Sequence, residues 1–534
     1  MFALSCFYSL DSGAQNIRAQ KTLRRSKNSQ QTKQAKIKTL SNSKKHKKQE
    51  TKKNYRDQID QLSTDLQGLS IDAAHPTVLP GHTGPTRAKK DWNFIVYMVN
   101  NNNLHKYGVK NFKQMAKIGS TKNINLLIQM DDLGTSDITR YYIEKNNPVA
   151  IDPDTFIGST MSGTPDNLFE FVKWAIKNYP AQQQALVLWN HGSGIKDPGM
   201  WGRVIMKCRD DFFSLNKQTG LLELNRRAID RISDSLNEER GIGFNDETEQ
   251  YITNQDLKNT LEKISKELLK GAKIDLLCMD ACHMGMVEIG SQVATAVEFM
   301  TGSEEVEPGS GYNYETVLAP FTFGTLTPEN FARHIVNSYE SEYKNMLADY
   351  TQSAINLDKI AELEDNINNI SIVIMNLLAS VPSFVKTIKD IRRSSKQTTS
   401  FFDADYIDLH HFYTSLLQKT NALKTIAQDV KQNMLQNIQE QKEQEENKQI
   451  KEITHEITKT GSSDLLQELS ELLTEGINHL ELTIIENVCG SGLPKARGLS
   501  IYFPQRTPHA SYQKTVFARI TKWLSFVKEY QKQV

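Results

Sequence analysis

Two residues in this sequence of 534 amino acids, His191 and Cys282, are of types that together can carry out nucleophilic catalysis. A thiol is a weak nucleophile until it ionises, and a nearby imidazole can stabilise the thiolate and later protonate a leaving amine. Each residue comes shortly after an apolar run, 185–189 before His191 and 274–279 before Cys282. Neighbouring parallel strands end at the same edge of a sheet, where the sites of α/β proteins form. The sequence therefore predicts a cysteine–histidine pair at that edge.

The residues next to this pair could stabilise a tetrahedral intermediate. The backbone N–H groups of Gly192 and Cys282 are candidate donors to its oxyanion. Gly192 has no side chain, so the backbone there can approach a substrate closely. A helix predicted over 284–293 would begin just after Cys282, and its positive end would favour the thiolate. Cys278 lies within the apolar run and is expected to be an inert core thiol.

Short apolar runs alternate with helical patterns through the first ordered part of the chain. Strands are predicted over 92–99, 124–130, 140–143, 185–189 and 274–279, and helices over 104–118, 166–178 and 254–269. This alternation predicts an α/β fold with a largely parallel sheet that is covered on both faces.

The second half of the chain is more helical and more polar. Helices are predicted over 357–378 and 404–430, an exposed helix or disordered insertion over 432–453, a strand over 498–504 and a last helix over 511–530. Four regions are expected: a disordered basic tail with a linker, an α/β core, a helical region, and a last segment that packs back on the core. Their predicted limits are 1–90, 91–340, 341–479 and 480–534.

Composition limits the classes of function. A net charge of +1 argues against a uniformly basic or acidic partner, yet Glu50 is the only acidic residue between 12 and 56. This segment is expected to be a solvated tail or pro-segment, with binding to nucleic acid or an anionic membrane as the alternative. Only one aromatic residue, Tyr55, lies among the basic ones, so the interleaving used for base stacking is lacking and no specific nucleic-acid binding is expected.

Cysteine usage and hydropathy exclude further classes. The five cysteines have neither the spacing of a disulfide framework nor a Cys/His metal pattern, so free thiols and no structural zinc are expected. No apolar run reaches the roughly 18 to 20 residues of a membrane span. The first ten residues are mildly apolar but lack a basic region before them and a clear cleavage site after them, which leaves the compartment undecided.

Several segments resemble the clostripain family, cysteine peptidases of the same clan as caspases, legumains, gingipains and separases. The similarity covers roughly residue 91 to the end, apart from the helical middle. It is carried by residues 92–99, 190–194, 243–246, 251–254, 280–288, 303–309 and 498–504. The resemblance implies a caspase-like layered α/β sandwich and a cysteine endopeptidase that uses His191 and Cys282 as its dyad.

The resemblance also implies specificity for basic residues. In the family an aspartate two residues before the nucleophile helps to recognise Arg or Lys at P1, and Asp280 occupies that place. A carboxylate at the base of a cleft pairs well with guanidinium or ammonium; the alternative is that Asp280 caps the following helix. Glu304 and Glu305 fall where relatives in the clan build the wall of the P1 pocket. The expected partners are therefore proteins or peptides with basic P1 residues.

Family members often cleave themselves between the histidine and cysteine strands. Here that connection spans 194–273 and contains seven candidate basic sites, Arg203, Lys207, Arg209, Arg226, Arg227, Arg231 and Arg240. Self-cleavage at one of them is expected to mature the enzyme. Some relatives depend on calcium, but the sequence contains no acidic loop of the EF-hand type, so no cofactor is expected and calcium stays an open alternative.

Two other functions compete with the peptidase. The first is an inactive peptidase scaffold that recruits a partner through its basic tail and helical region. The second is a serine hydrolase that uses Ser193, but the surrounding residues lack the G-x-S-x-G pattern of a nucleophile elbow. Because both members of the dyad are present, the cysteine endopeptidase is the favoured interpretation.

Overall fold

The computed structural model describes residues 88–131, 138–151, 161–197, 213–224, 241–433, 452–453, 455–457 and 461–534. Every described residue belongs to one compact unit, Ala74–Val534. The predicted basic tail and most of the predicted polar insertion at 432–453 lie outside the described residues. The four predicted regions stay a prediction.

Fifteen strands and twelve α-helices are formed by the described residues. The strands are β1 Lys90–Met98, β2 Ile124–Asp131, β3 Ile138–Glu144, β4 Asn147–Ile151, β5 Ala181–Trp189, β6 Phe213–Leu215, β7 Leu222–Leu224, β8 Ile242–Asn245, β9 Gln250–Ile252, β10 Ile274–Asp280, β11 Val297–Gly302, β12 Thr351–Asn356, β13 Tyr406–Asp408, β14 Ile484–Cys489 and β15 Ser500–Tyr502. The helices are α1 His105–Ile118, α2 Pro165–Asn178, α3 Asn254–Lys263, α4 Val287–Val293, α5 Tyr314–Leu318, α6 Pro328–Tyr343, α7 Ile360–Ser380, α8 Phe384–Arg393, α9 Leu409–Asn433, α10 Ser463–Thr483, α11 Val516–Ile520 and α12 Trp523–Gln533.

Nine of these strands form one sheet in the order β14-β12-β11-β10-β5-β1-β2-β3-β4. Its five central strands, β11, β10, β5, β1 and β2, are parallel, and the strands toward each edge are antiparallel. Strands β1, β2 and β5 read as near-continuous apolar runs because a central parallel strand is buried on both faces. The predicted α/β fold with a mostly parallel sheet is confirmed.

Alternate side chains of each strand enter two separate apolar cores. In β1, Ile95 and Tyr97 face one core with α2, α3, α4 and the helices α7 to α10. Phe94 and Val96 face the other core with α1, α5 and α6. This alternation follows from the two-residue period of a strand. The sheet is therefore the middle layer of three.

The C-terminal part of the chain differs from the sequence-based expectation in its details. The predicted last helix over 511–530 is interrupted, because Thr515 and Thr521 have extended backbone conformations. The Thr515 side chain accepts a hydrogen bond from the N–H of Ala518 and caps α11. The helix predicted over 404–430 begins later, since its first residues form β13, which pairs with β15. Among the described residues, no helix is long and apolar enough to cross a membrane.

Candidate active site

Strands β5 and β10 bring His191 and Cys282 to the same edge of the sheet. The two strands are parallel neighbours, and their last residues, Trp189 and Asp280, are paired in register. His191 and Cys282 therefore each lie two residues beyond a paired strand end. The loops that follow are in direct contact, because a Cβ placed on Gly192 would collide with the carbonyl oxygen of Cys282. Only glycine allows this approach.

The imidazole of His191 is buried and held by an amide. Its Nε2 atom lies 2.8 Å from Oδ1 of Asn103, in the loop between β1 and α1. The preceding residue, Asn190, donates from Nδ2 to the carbonyl oxygens of Val99 and Phe244, at 2.6 and 3.1 Å, and accepts the Phe244 N–H at 2.8 Å. These bonds join the ends of β1, β5 and β8, so the position of His191 is determined by side-chain amides.

A buried carboxylate anchors the asparagine run that contains Asn103. Asp131, at the end of β2, accepts the backbone N–H groups of Asn100 and Asn101 and the hydroxyl of Ser162. Asn245 Nδ2 also donates to this carboxylate, at 2.9 Å. Burial raises the pKa of Asp131, and the hydrogen bonds oppose that effect. The network fixes the loop after β1 against the loops of its neighbours.

The thiol of Cys282 is covered by apolar side chains and faces one backbone donor. Its side chain is 5% exposed and packs with those of Leu224 and Val306. Phe402 is partly buried and packs against the same cluster. The backbone N–H of Glu307 donates to Sγ at 3.2 Å. A donor in this position forms a charge-assisted hydrogen bond when the sulfur is a thiolate.

The segment after Cys282 is not helical at first, in contrast to the prediction. Helix α4 begins only at Val287, and Met286 before it is extended. Gly285 lies too close to the backbone of 302–304 for any Cβ, and its N–H donates to the carbonyl of Ser303 at 2.8 Å. The loop is thus pinned to the end of β11. The predicted stabilisation of the thiolate by a helix starting just after Cys282 loses its structural basis.

The neighbouring candidates for nucleophile and base make other contacts. His283 has a φ of +59° and its Nδ1 lies 2.8 Å from the carbonyl oxygen of Glu304. The hydroxyl of Ser193 donates to the carbonyl of Lys196 at 2.9 Å. Cys278 is fully buried, and burial raises the pKa of its thiol, so the reactive form is disfavoured there.

Asp280 lies at the same sheet edge, with its carboxylate turned toward the α5 side. The Tyr314 hydroxyl donates to Oδ2 at 2.7 Å, and the Tyr312 backbone N–H donates to the same atom at 3.3 Å. The side chain is 2% exposed. Gly311, at a φ of +51°, passes directly over the carboxylate, where a Cβ would collide with it. The loop containing Gly311 therefore forms one wall around Asp280.

Glu304 and Glu305 follow β11 and are both fully buried. The carboxylate of Glu305 accepts the N–H groups of Val306 and Phe402, at 2.9 Å each. Glu304 accepts the N–H of Gly498 at 2.9 Å and shares a hydrogen bond with Asp408. Burial raises the pKa of Glu304 well above its usual range, and the neighbouring charge of Asp408 adds to the shift. Both glutamates connect the cysteine loop to the C-terminal half of the chain.

The described part of the chain contains no candidate metal site. There, no group of three or more His, Cys, Asp or Glu side chains is arranged to hold a metal ion.

The sequence profile of the clostripain family matches residues 96–217 and 230–531, which together make up most of the chain. The chain belongs to the clostripain family. This match includes both strands of the predicted dyad and most of the C-terminal segment. The assignment of the chain to the clostripain family therefore rests on most of the sequence as well as on its short motifs.

Solved structures from the clostripain family are similar to this chain at low identity. An inactive zymogen C11 protease from Parabacteroides distasonis is 16% identical, with 83% of this chain and 99% of that one covered and a TM-score of 0.47. A secreted C11 cysteine protease from Bacteroides thetaiotaomicron, solved with an irreversible peptide inhibitor, is 16% identical, with the same shares covered and a TM-score of 0.45. No curated protein matches the chain.

Two contacts in this clostripain-family site were not predicted from the sequence. They are the bond from Asn103 to His191 and the bond from the Glu307 N–H to Cys282. The signal for Asn103 was present, because the asparagine run 100–103 directly follows β1, the strand next to β5. The Glu307 contact has no such signal, since any residue supplies a backbone N–H.

Proposed function

We propose that this chain is a cysteine endopeptidase that cleaves after Arg or Lys, with Cys282 as nucleophile and His191 as general base and acid. The main support is the register of β5 and β10, which pairs Trp189 with Asp280 and so brings the two reactive residues together. The family shown above consists of cysteine peptidases, which makes the same chemistry the expected one.

The proposed reaction proceeds through a thioester. Cys282 Sγ attacks the scissile carbonyl carbon while His191 holds the thiol proton. The resulting oxyanion accepts hydrogen bonds from the backbone N–H groups of Gly192 and Cys282, whose backbones are in contact. When the intermediate collapses, the C–N bond breaks and His191 protonates the leaving amine. Water, deprotonated by His191, then hydrolyses the thioester and returns the thiol.

We propose that Asp280 pairs with the basic P1 side chain. Tyr314 and Tyr312 hold its carboxyl group with neutral donors in a buried, low-dielectric site, where a carboxylate would bind a cation strongly. A direct contact of Glu304 or Glu305 with substrate stays a prediction. Their hydrogen bonds to Gly498 and Phe402 favour a supporting role for the loop that carries Glu307.

We also propose that the uncut chain is latent and that self-cleavage releases it. Leu224, in the connection between β5 and β10, packs on Cys282. The hairpin of β6 and β7 is attached to the core by bonds from the Leu222 N–H to the Met346 carbonyl and from the Ala348 N–H to the Leu222 carbonyl, both 2.8 Å. The predicted sites Arg226 and Arg227 lie two and three residues after Leu224 in sequence, outside the described residues. A cut there would free Leu224 from the thiol.

The test is hydrolysis of matched fluorogenic peptides that end in Arg, Lys, Asp or Leu, with mass spectrometry of the enzyme before and after incubation. Wild type is expected to cleave only the Arg and Lys peptides and to become cut within 194–273. Cys282→Ala is expected to do neither, while Cys278→Ala, in the strand that precedes Cys282, keeps both activities. Asp280→Asn is expected to lose about a hundredfold in kcat/KM on the basic peptides, with a much smaller loss on others.

Three results would contradict the proposal. Activity in Cys282→Ala would exclude this nucleophile, and equal cleavage of all four peptides would exclude basic specificity. An uncut chain with full activity would exclude latency. Because the proposed steps use only protein groups, rates are expected to be equal with and without a chelator; a loss with the chelator would establish the calcium alternative.

A further inference from the structure

The imidazole of a cysteine–histidine pair has two nitrogen atoms, and the pair works only if the correct one faces the thiol. In this chain Nε2 of His191 is engaged by an amide, 2.8 Å from Oδ1 of Asn103. His191 is 1% exposed, so bulk water does not compete freely for that nitrogen. The orientation of the ring is therefore coupled to one amide side chain.

An amide oxygen only accepts hydrogen bonds, so Nε2 must carry a proton for this contact to form. In the neutral ring the proton on Nε2 leaves Nδ1 as the basic nitrogen, available for the thiol proton. In the imidazolium form the Nε2–H bond to Oδ1 becomes charge-assisted and stronger. The contact thus favours both states of His191 that the reaction needs.

We infer that Asn103 is the positioning residue of the dyad: through its side-chain oxygen it selects the tautomer of His191 and stabilises the imidazolium. This inference rests on the proposed function. It adds a third member from the strand on the far side of β5, so that three adjacent strands, β1, β5 and β10, each contribute one member at the same edge.

The loop that carries Asn103 is held on both sides of that residue. The Asn102 side chain accepts the N–H of Leu104 at 2.8 Å and donates to the carbonyls of Val99 and Phe244, at 3.0 and 2.9 Å. The backbone N–H of Asn103 itself donates to the carboxylate of Asp246. With its neighbours fixed in this way, Asn103 has little freedom to turn away from the imidazole.

Asn103 also lines a cavity beside its own loop. A cavity of about 410 Å³ is lined by Asn101, Asn102, Asn103, His105, Lys106 and Asp246. A peptide that enters this cavity would shield the bond between Asn103 and His191 from water. In a drier surrounding that bond becomes stronger, so binding of substrate would tighten the alignment of the ring.

The test compares Asn103→Leu, Asn103→Asp and a control, Asn123→Leu, in the processed full-length enzyme. Asn123 is also half-buried and donates to the carbonyl of Phe321 at 3.3 Å, at the opposite edge of the sheet. Asn103→Leu is expected to lower kcat about tenfold to a hundredfold with little change in KM. It should also move the alkaline limb of the kcat/KM profile to lower pH, because the imidazolium has lost its acceptor.

Asn103→Asp keeps an acceptor and adds a negative charge. It is expected to recover much of kcat and to move the alkaline limb about one pH unit above that of wild type. Asn123→Leu should leave kcat and both limbs unchanged. If all three variants keep the wild-type pH limbs, or if the aspartate variant is no better than the leucine variant, Asn103 has only a structural role and the inference is wrong.

A second readout does not depend on peptide hydrolysis. The rate at which iodoacetamide alkylates Cys282, followed by peptide mass spectrometry against pH, reports the thiolate and its imidazole partner. A profile that changes in His191→Ala but not in Asn103→Leu would overturn the inference and leave the dyad intact. A profile unaffected by His191→Ala would overturn the dyad itself, and the positioning role with it.

Discussion

The two loops that form the candidate site are built from different polar groups. Around His191 the side chains that tie β1, β5 and β8 together are amides, with the carboxylates of Asp131 and Asp246 behind them: Asn102, Asn103, Asn190 and Asn245. Around the Cys282 loop they are buried carboxyls, which tie that loop to the C-terminal half of the chain: Glu288, Glu304, Glu305 and Glu307. We call these the amide side and the carboxyl side.

Because of this difference, the alignment of His191 and the response of the structure to pH depend on different groups. Amides carry no charge at any working pH, so the bonds that Asn103 and Asn190 make do not themselves change as the solution is titrated, although Asp131 behind them is titratable. Carboxyls in a buried site resist ionisation; burial raises the pKa of Glu288 to about 7 and that of Glu304 well above its usual range. We therefore expect changes of pH to act on the structure mainly through the carboxyl side, where four buried carboxyls lie close to the cysteine loop.

The largest expected effect is an acid placed on the amide side. Asn190→Asp is isosteric, but an ionised carboxylate cannot donate to the carbonyl oxygens of Val99 and Phe244, and it would repel both. We expect the free energy of unfolding to fall by about 3 to 5 kcal/mol, because two buried acceptors lose their donor next to a buried charge. Urea denaturation at neutral pH measures the loss, and kcat is expected to fall with it.

The matched control is Asn178→Asp. Asn178 is exposed at the end of α2 and donates to the carbonyl of Trp174 at 2.8 Å. This change should shift the free energy of unfolding by less than about 1 kcal/mol. If Asn190→Asp is as mild as the control, the amide side tolerates charge and the contrast between the two sides fails.

The opposite substitution on the carboxyl side is expected to stabilise. Glu288 Oε1 accepts the Tyr502 N–H at 2.8 Å and the Tyr512 hydroxyl at 2.9 Å, and a glutamine oxygen can accept both. The folded-state pKa of about 7 lies above the ordinary 4.5, so the folded protein holds this proton more tightly than the unfolded chain. Wild-type stability should therefore fall as pH rises from about 4.5 to about 7 and stay level above that range.

Glu288→Gln removes this fall. Relative to wild type, the variant should gain about 3 kcal/mol of unfolding free energy between pH 4.5 and pH 7.5, measured by urea denaturation at several pH values. Glu468→Gln, on the exposed face of α10, should follow the wild-type curve. A Glu288→Gln curve parallel to wild type would mean that Glu288 ionises as easily in the folded protein as in the unfolded chain.

The sequence predicted the central sheet and the dyad because both leave local signals. Buried parallel strands such as β1 and β5 are continuous apolar runs, and His191 and Cys282 directly follow two of these strands. Polar residues that are buried because their side chains form hydrogen bonds leave no such signal. Strand β12 contains Thr351, Gln352 and Ser353, yet all three are buried, because they bond to residues of 303–307 and to Gly498.

Breaks within a predicted helix and polar contacts between residues far apart in the sequence were also not predicted. The pattern over 511–530 has helical spacing throughout, but two threonines in extended conformation interrupt it. The pairing of β1 with β5 determines which amide contacts His191. Asn103 and His191 are about ninety residues apart in the sequence. Periodicity indicates which face of an element is buried; it does not identify the polar partner on another element.

The smallest expected effect belongs to Glu304, where an amide should replace the acid almost without cost. The protonated carboxyl accepts the Gly498 N–H at 2.9 Å and donates to Asp408, and a glutamine side chain can do both. At neutral pH we expect Glu304→Gln to lie within about 1 kcal/mol of wild type, whereas Glu304→Ala loses both bonds and about 2 kcal/mol or more. Because burial raises the pKa of Glu304 above 4.5, the unfolded chain releases this proton at a lower pH than the folded protein does. Wild type alone should therefore lose stability as pH rises from about 4.5 to the raised pKa, so the glutamine variant should become the more stable of the two. Urea denaturation of the three proteins at pH 6 and pH 9 measures both differences. If glutamine is as damaging as alanine, Glu304 is ionised in the folded chain, and the carboxyl side is a charged network that an amide cannot replace.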